Sequence, residues 1–360
     1  MKSWDSIIVG GGIIGLSLSL GLRKQGLRVL LVERGEPARE ASHAAAGMLG
    51  DFEMPPLLKA LAGDSARMYP EFVHELQDES GIDVDLRDQG TLFFPAAAPV
   101  HEPPGLSPNH PLPAPLRELE PAVADADRRA LFLPDRSVDP RALSTAALKA
   151  AKHRGVDISS GSLVRKVLES QGRVEGVATE RAEYYAPLVV NCAGAWAGQL
   201  PPLEFPTRPV KGQMLSVAGR NLLRHVLRAP EVYLVPRSDG RILIGSTLEE
   251  AGYDKRVDRD VIHRLRAAAV ALCPPLAHSR LLEAWAGLRP GTPDGLPLLG
   301  PTSKPGYFVA AGHFRDGILL APVTAKVMAQ VVTGVKAEHD LAPFSPARFS
   351  GLAGLGTKGT

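Results

Sequence analysis

The stretch SIIVGGGIIGL, Ser6 to Leu16, sets three consecutive glycines directly behind a β-branched apolar run, near the start of a 360-residue chain. Ile7, Ile8 and Val9 read as a strand buried on both faces, the signature of a parallel sheet covered by helices. Gly10, Gly12 and Gly15 match G-x-G-x-x-G, and Leu16, Leu18, Leu20 and Leu22 continue as an apolar helix that ends near Gly26, a C-cap. A second buried strand, Arg28 to Val32, closes on Glu33, eighteen residues beyond Gly15, near the ~20 typical of the acid that binds a ribose hydroxyl. Such a unit offers a tight turn, bare backbone for a pyrophosphate, and a helix N-terminus whose free N–H groups favour phosphate charge. A dinucleotide site follows. Glu33 would repel a 2′-phosphate, which argues against NADP and leaves NAD and FAD open.

The chain is long enough for two domains. A net charge of +2 gives no footprint for nucleic acid or an anionic membrane. No run of about 18 uninterrupted apolar residues exists, so no transmembrane helix is expected. Asp5 and the glycines interrupt the N-terminal run, which speaks against a secretory signal. Two cysteines, Cys192 and Cys273, build no disulfide framework and match no metal spacing, so a reducing, cytoplasmic compartment and no metal are expected.

Further along, EASHAAAGML (Glu40 to Leu49) clusters small residues that permit close backbone approach. A helix is predicted around Leu57 to Ser80, a short strand at Thr91 to Pro95, and a proline-rich surface loop from Ala96 to Pro115. Asp139 is the expected N-cap of a helix to Arg154. Strands over Ser162 to Leu168 and Arg173 to Thr179 flank Gln171-Gly172, and a buried strand spans Leu188 to Gly198. Strands at Gln213 to Val217, Val232 to Pro236 and Ile242 to Ser246 form an antiparallel block, the last two joined by Ser238-Asp239-Gly240. A helix over Asp258 to Ala271, a strand at Tyr307 to Ala311 and a final helix starting near Ile318 complete the pattern. The nucleotide-type strands are split along the chain, so the fold class is α/β. A discontinuous Rossmann-like domain (1–80, 136–205, 292–345) is interleaved with a mainly antiparallel domain (81–135, 206–291), and 346–360 are a flexible tail.

Taken in order, VGGGIIGLSLSLGLRKQG, VERG, AAAGML, NCAGAWAG, PVKGQML, VYLVPR, WAGLRPGTPDGLPLLG and AAGHFRDGILLAP resemble the glycine oxidase branch of the D-amino acid oxidase family. The resemblance implies FAD, with Gly10, Gly12, Ile14, Gly15, Glu33, Arg34 and Ser42 around it. It adds Ala46, Gly47, Met48, Val164, Ala193 and Gly194, and lines the flavin ring with His313, Phe314, Arg315, Asp316, Gly317, Ile318 and Leu319. No cysteine follows Gly291, so non-covalent attachment is expected. The implied reaction moves a hydride from the α-carbon of glycine, a small amine or a D-amino acid to the flavin. The imine is hydrolysed to an oxo acid and O₂ is reduced to H₂O₂, in a role in thiamine thiazole assembly. A homo-oligomer is compatible with it. A dehydrogenase of the same fold with another electron acceptor, and a flavin-binding module without turnover, are the competing readings.

Arg289 is the implied carboxylate anchor, since a guanidinium grips a carboxylate bidentately; alternatively it is a surface arginine beside a proline turn. Tyr233 adds a hydroxyl donor, or fills space between strands. Arg315 sits near the substrate, or pairs with Asp316. Asp316 stands where the family carries Asn, and Leu248, in the substrate pocket, where it carries Met. Asp316 lowers the positive potential of the site or caps the following helix. No catalytic base is assigned to His43, His225 or His313, because hydride can leave directly from a neutral amine.

Overall fold

The protein, described as a computed structural model, is defined over residues 3–96, 112–125 and 127–349. Five helices of twelve residues or more punctuate it: α1 (Ile13–Lys24), α2 (Pro56–Ser80), α3 (Pro140–His153), α4 (Arg259–Leu272) and α5 (Ala321–Val332). No helix among the described residues is long and apolar enough to cross a membrane.

The first strand, Ser6–Val9, lies inside a six-stranded sheet, between Leu188–Asn191 and Val29–Val32. Asp157–Ser159 and Tyr307–Ala311 extend it in parallel, and Leu298–Pro301 closes one edge antiparallel. Because both faces are covered, these strands are continuous apolar runs. One face packs on α1, α2, α3 and α5, and the other on a three-stranded sheet built from Val164–Ser170, Arg173–Thr179 and Glu183–Tyr185.

The second body is an eight-stranded, mainly antiparallel sheet drawn from residues 91–133 and 208–291. Its longest pairing joins Arg208–Ala218 to Leu281–Gly291, antiparallel from Arg208 opposite Gly291 to Val217 opposite Leu281. α4 covers this sheet, burying Val261, Ile262, Leu265, Ala269 and Leu272. Asp139 and Asp258 cap their helices as their side chains require: Asp139 accepts from Arg141 N at 2.8 Å and Asp258 from Asp260 N at 2.8 Å. Gly26 follows α1 with φ +84°, the left-handed turn that glycine takes without strain.

Several expectations shift. The final helix begins at Ala321 rather than near Ile318, because Gly317 to Leu320 form turns that hold the backbone out of the helix. The strand from Leu188 stops at Asn191 and gives way to a 3₁₀ helix, Gly194–Gln199, once the small residues begin. Leu281–Gly291 is a strand although Gly287, Pro290 and Gly291 interrupt its pattern. Most of the proline-rich stretch, residues 97–111, lies outside the described residues, while Leu112–Pro113 pairs with Leu131–Phe132. Of the expected tail, residues 346–349 form a 3₁₀ helix tied down by Arg348, which bridges to Asp294 at 2.7 Å and donates to Leu296 O at 2.8 Å. The remainder, 350–360, lies outside the described residues.

α2 fixes the turns before α5. The buried Ser65 hydroxyl donates to Leu319 O at 2.6 Å, and the fully buried Tyr69 hydroxyl donates to Ile318 O. Tyr69→Phe strands that carbonyl in an apolar setting. It is expected to lower unfolding free energy by about 1–3 kcal/mol, read by denaturant titration of the purified protein.

Candidate active site

The carboxyl ends of the parallel strands and the near edge of the eight-stranded sheet enclose a cavity of about 1110 Å³. Its floor is the first glycine turn. Gly10 has φ +109°, and a Cβ there would lie 2.4 Å from Cys192 O; at Gly15 it would lie 2.0 Å from Gly10 O. Only glycine lets the turn, α1 and the neighbouring strand close up in this way. α1 starts at Gly12 without a side-chain cap on its first turn beyond the Ser42 hydroxyl, which accepts from Ile13 N at 2.9 Å. Uncapped N–H groups are thus presented to the cavity, the arrangement that binds phosphate. Glu33 accepts from Gly11 N at 2.7 Å and Gly35 N at 2.8 Å, one bond to each carboxylate oxygen, so each keeps a lone pair for a hydroxyl.

Residues 46–48 form the next wall. Gly47 (φ +72°) allows Val138 N to reach Gly47 O at 2.8 Å, where a Cβ would lie 1.9 Å from Val138 O. Arg237, buried at the end of Tyr233–Pro236, donates to Ala46 O and to the Ser137 hydroxyl at 3.3 Å; its Nε has no partner. Burial pushes the Arg237 guanidinium down to about 10. The sequence reading missed it, although the arginine that ends VYLVPR was the available signal.

Arg289 projects from Leu281–Gly291. Its partner across the strand pair is Val210, and Gly212, two residues on, shares that face. A Cβ on Gly212 would stand 2.2 Å from Arg289 Nη1, so the glycine is the space the guanidinium occupies. Arg289 donates to Thr247 O at 3.0 Å and to the Ser246 hydroxyl at 2.7 Å. No carboxylate among the described residues pairs with it. Burial lowers its pKa, the nearby Tyr233 hydroxyl opposes that shift, and Arg315 adds to it. Gly245, opposite Tyr233, makes room in the same manner: a Cβ there would lie 2.5 Å from the Tyr233 hydroxyl oxygen.

The other wall runs from His313 to Ile318. Phe314 takes φ +48° and donates its N–H to Pro290 O at 2.9 Å, tying this wall to the Arg289 strand. His313 is buried against Thr324, Nε2 to Oγ1 at 3.2 Å, and burial drives its pKa down to about 3, so it is a neutral packing group. His225 sits 2.9 Å from Glu120, away from the cavity lining. Arg315 forms no ion pair with Asp316 or with any other described carboxylate; its guanidinium lies 5.3 Å from the centroid of its neighbour Phe314. Asp316 does not cap α5, whose cap position is Leu320. Its carboxyl, partly buried in the cavity wall without a hydrogen-bonding partner among the described residues, is raised to about 6 by burial, with Arg315 and Arg228 opposing.

The cavity gathers Gly10, Gly12, Ile14, Glu33, Arg34, Ser42, Ala46, Gly47, Met48, Val164, Ala193 and Gly194 with Tyr233, Arg289 and the segment His313 to Ile318. Three residues of the sequence reading fall outside it. Gly15 works behind the turn, against Gly10, and Leu319 is buried between α2 and α5. Leu248 is 55% exposed, because Thr247 and Glu249 hydrogen-bond to one another on one side of the extended segment and alternation turns Leu248 to the other. Asp135, beside Asp51 and raised to about 6 chiefly by burial, joins the lining unforeseen. Cys192 and Cys273 are buried and unpaired, and burial pushes the Cys192 thiol far up, so neither is a nucleophile.

A glycine cradle, a helix start with only its Ile13 N–H engaged by a side chain, and an acid at the second strand that keeps a lone pair on each oxygen fit the diphosphate and ribose of a dinucleotide. Residues 5–331 match the family model of the FAD dependent oxidoreductases, and the chain belongs to that family. It is 36% identical to a glycine oxidase of Pseudomonas aeruginosa over 95% of this chain and 98% of that one. It is also 36% identical to the bifunctional protein ThiO/ThiG of Trichormus variabilis, covering 96% of this chain and 55% of that protein. The solved glycine oxidase of Geobacillus kaustophilus superposes with a TM-score of 0.90 at 33% identity, over 97% of this chain and 99% of that one.

The Asp316 carboxyl in the wall has a pH signature. Asp316, folded, titrates near 6, against 3.8 when solvated, so the folded chain binds the extra proton between those values and loses stability from this group as pH rises through them. Asp316→Asn escapes that penalty. Its melting temperature is expected to gain on the parent from pH 4 to pH 7 and to level off above, as followed by thermal melts across that range.

Proposed function

We propose that this protein oxidises glycine and other small amines or D-amino acids to the imine, which water hydrolyses to the oxo acid, with O₂ as electron acceptor. The supporting observation is the partly buried Arg289 guanidinium, which has no ion-pair partner among the described residues, in the same cavity as the dinucleotide cradle. When bound, FAD supplies acceptance of the hydride equivalent from the substrate α-carbon. Gly10, Gly12 and Glu33 would hold its diphosphate and ribose, and the segment from His313 to Ile318 would flank its ring.

The chain's own residues do the rest. Arg289 offers its fork to the α-carboxylate; a bidentate, charge-assisted pair fixes both position and plane. The Tyr233 hydroxyl donates to the same group, and Arg315 adds positive potential from the facing wall. Thr247 O and Ser246 Oγ hold the guanidinium in place before the substrate arrives, so little ordering is left to be done on binding. His313 is neutral and buried, and no other histidine among the described residues lines the cavity, so the amine reaches the site already deprotonated or loses its proton to solvent. Partial burial of the anchor among Gly212, Ser246 and Thr247 lowers the local dielectric and strengthens the ion pair.

The high identity to glycine oxidases over nearly the whole length supports the same substrate class. On the family resemblance we place the activity in thiamine thiazole assembly, in a reducing, cytoplasmic setting that suits two unpaired cysteines. We read the parallel sheet as the cofactor domain and the eight-stranded sheet as the substrate domain.

Anaerobic mixing of the purified protein with glycine, sarcosine and a series of D-amino acids is the test. Bleaching of the flavin bands by at least one of them is expected, followed by reoxidation with one H₂O₂ per turnover when air is admitted. Bleaching without oxygen-dependent reoxidation would instead identify a dehydrogenase, and no bleaching would end the proposal. Arg289→Leu is expected to lose about 2–3 kcal/mol in kcat/KM, mostly through KM. Gly212→Ala, which displaces the guanidinium without removing it, should move KM in the same direction, both read by steady-state oxygen consumption.

A further inference from the structure

The chain leaving Arg241–Gly245 does two things before α4 begins. Ser246 and Thr247 hold Arg289. Further on, Tyr253 and Lys255 cross from the eight-stranded sheet onto the body of the parallel sheet. The Tyr253 hydroxyl donates to Ala195 O at 3.0 Å, and its ring packs on Trp196 with centroids 5.2 Å apart at an interplanar angle of 31°. Lys255 Nζ lies 3.0 Å from Glu40. Trp196 also carries the Arg34 guanidinium, 3.5 Å from its ring centroid, and Arg34 pairs with Glu40 at 2.6 Å. Arg34, Glu40 and Trp196 line the cavity, whereas Tyr253 and Lys255 stand behind them.

The place of this cluster along the cavity follows from Glu33. In a sheet of this topology the acid ending the second strand takes the adenosine ribose, so Arg34, its neighbour, and the residues stacked on it belong to the adenosine half. Tyr253 is 41% exposed, and ion pairs between accessible side chains contribute little to global stability. Their geometric effect is local: they close a seam between two separately cored bodies at the point where an adenosine would enter or leave.

We propose that Tyr253 and Lys255 form a latch that holds Trp196, Arg34 and Glu40 closed over the adenosine half, and so sets how fast bound FAD dissociates. The latch rests on the assignment of FAD to this cavity. Tyr253 and Lys255 are positioning residues: they act on the dinucleotide through Trp196 and Glu40, from outside the lining.

The test is the release of flavin from holoenzyme. Parent, Tyr253→Ala, Tyr253→Phe and Lys255→Glu proteins are diluted, passed through an ultrafilter at timed intervals, and the retained flavin is measured by absorbance. Removing an aromatic contact or reversing a paired charge is expected to speed release about five- to tenfold, whereas Tyr253→Phe, which keeps the ring, stays within about threefold of the parent. Melting of the flavin-free proteins separates a latch from general weakening. Faster release at an unchanged melting temperature supports the latch. Parent-like release from both Tyr253→Ala and Lys255→Glu overturns it, as does release that merely follows a lowered melting temperature. A parent protein that binds no FAD at all would overturn the cofactor assignment itself, a different result from parent-like release.

Discussion

A guanidinium with no ion-pair partner among the described residues organises the site of this molecule. Arg289 is partly desolvated between strands and donates to neutral oxygens, Thr247 O and Ser246 Oγ. Burying such a cation is unfavourable unless a partner arrives. The surroundings are arranged around that cost: Gly212 vacates the volume, Gly245 admits the Tyr233 ring, and Phe314 accepts a positive φ to link the facing wall to Pro290. These local irregularities converge on one cavity, which is where strain is found when a site must be held open for a ligand.

The same logic governs the remote end. Gly10 and Gly15 remove side chains so that backbone can pack on backbone, and Gly47 does so against Val138. Arg237, a second buried cation, spends its donors on Ala46 O and the Ser137 hydroxyl and thereby fixes the small-residue segment. Both walls therefore depend on arginines anchored from the eight-stranded sheet, and the two bodies are bound together through their shared site.

Much of this was legible in the sequence, for physical reasons. Buried strands followed by glycines announce themselves by composition, so the first βαβ unit, the Asp139 cap and the 238–240 hairpin were readable locally. Arg289 and Tyr233 emerged from motif order. The strand Leu281–Gly291 was not legible, because the glycines and proline that serve the site erase the alternation that marks a strand. Gly212 could not be read as a space for Arg289 without the pairing register that sets them on one face. Leu248 was misplaced for a related reason, since the side a residue faces depends on a hydrogen bond between Thr247 and Glu249 that motif matching does not see. The assignment of a cap to Asp316 failed because four turn residues intervene before α5.

The order of strands has a consequence for biosynthesis. Ser6–Val9 sits inside its sheet, and one of its two flanking strands is not made until residues 188–191. The wall from His313 to Ile318 comes later still. A nascent chain holding the glycine turn therefore lacks the facing wall until residues 313–318 have been made, and one edge of Ser6–Val9 waits unpaired until residues 188–191. Such long-range pairing is slow to form and exposes edges that aggregate. The closed cavity is accordingly a product of distant segments, complete only once residues 313–318 have joined the glycine turn.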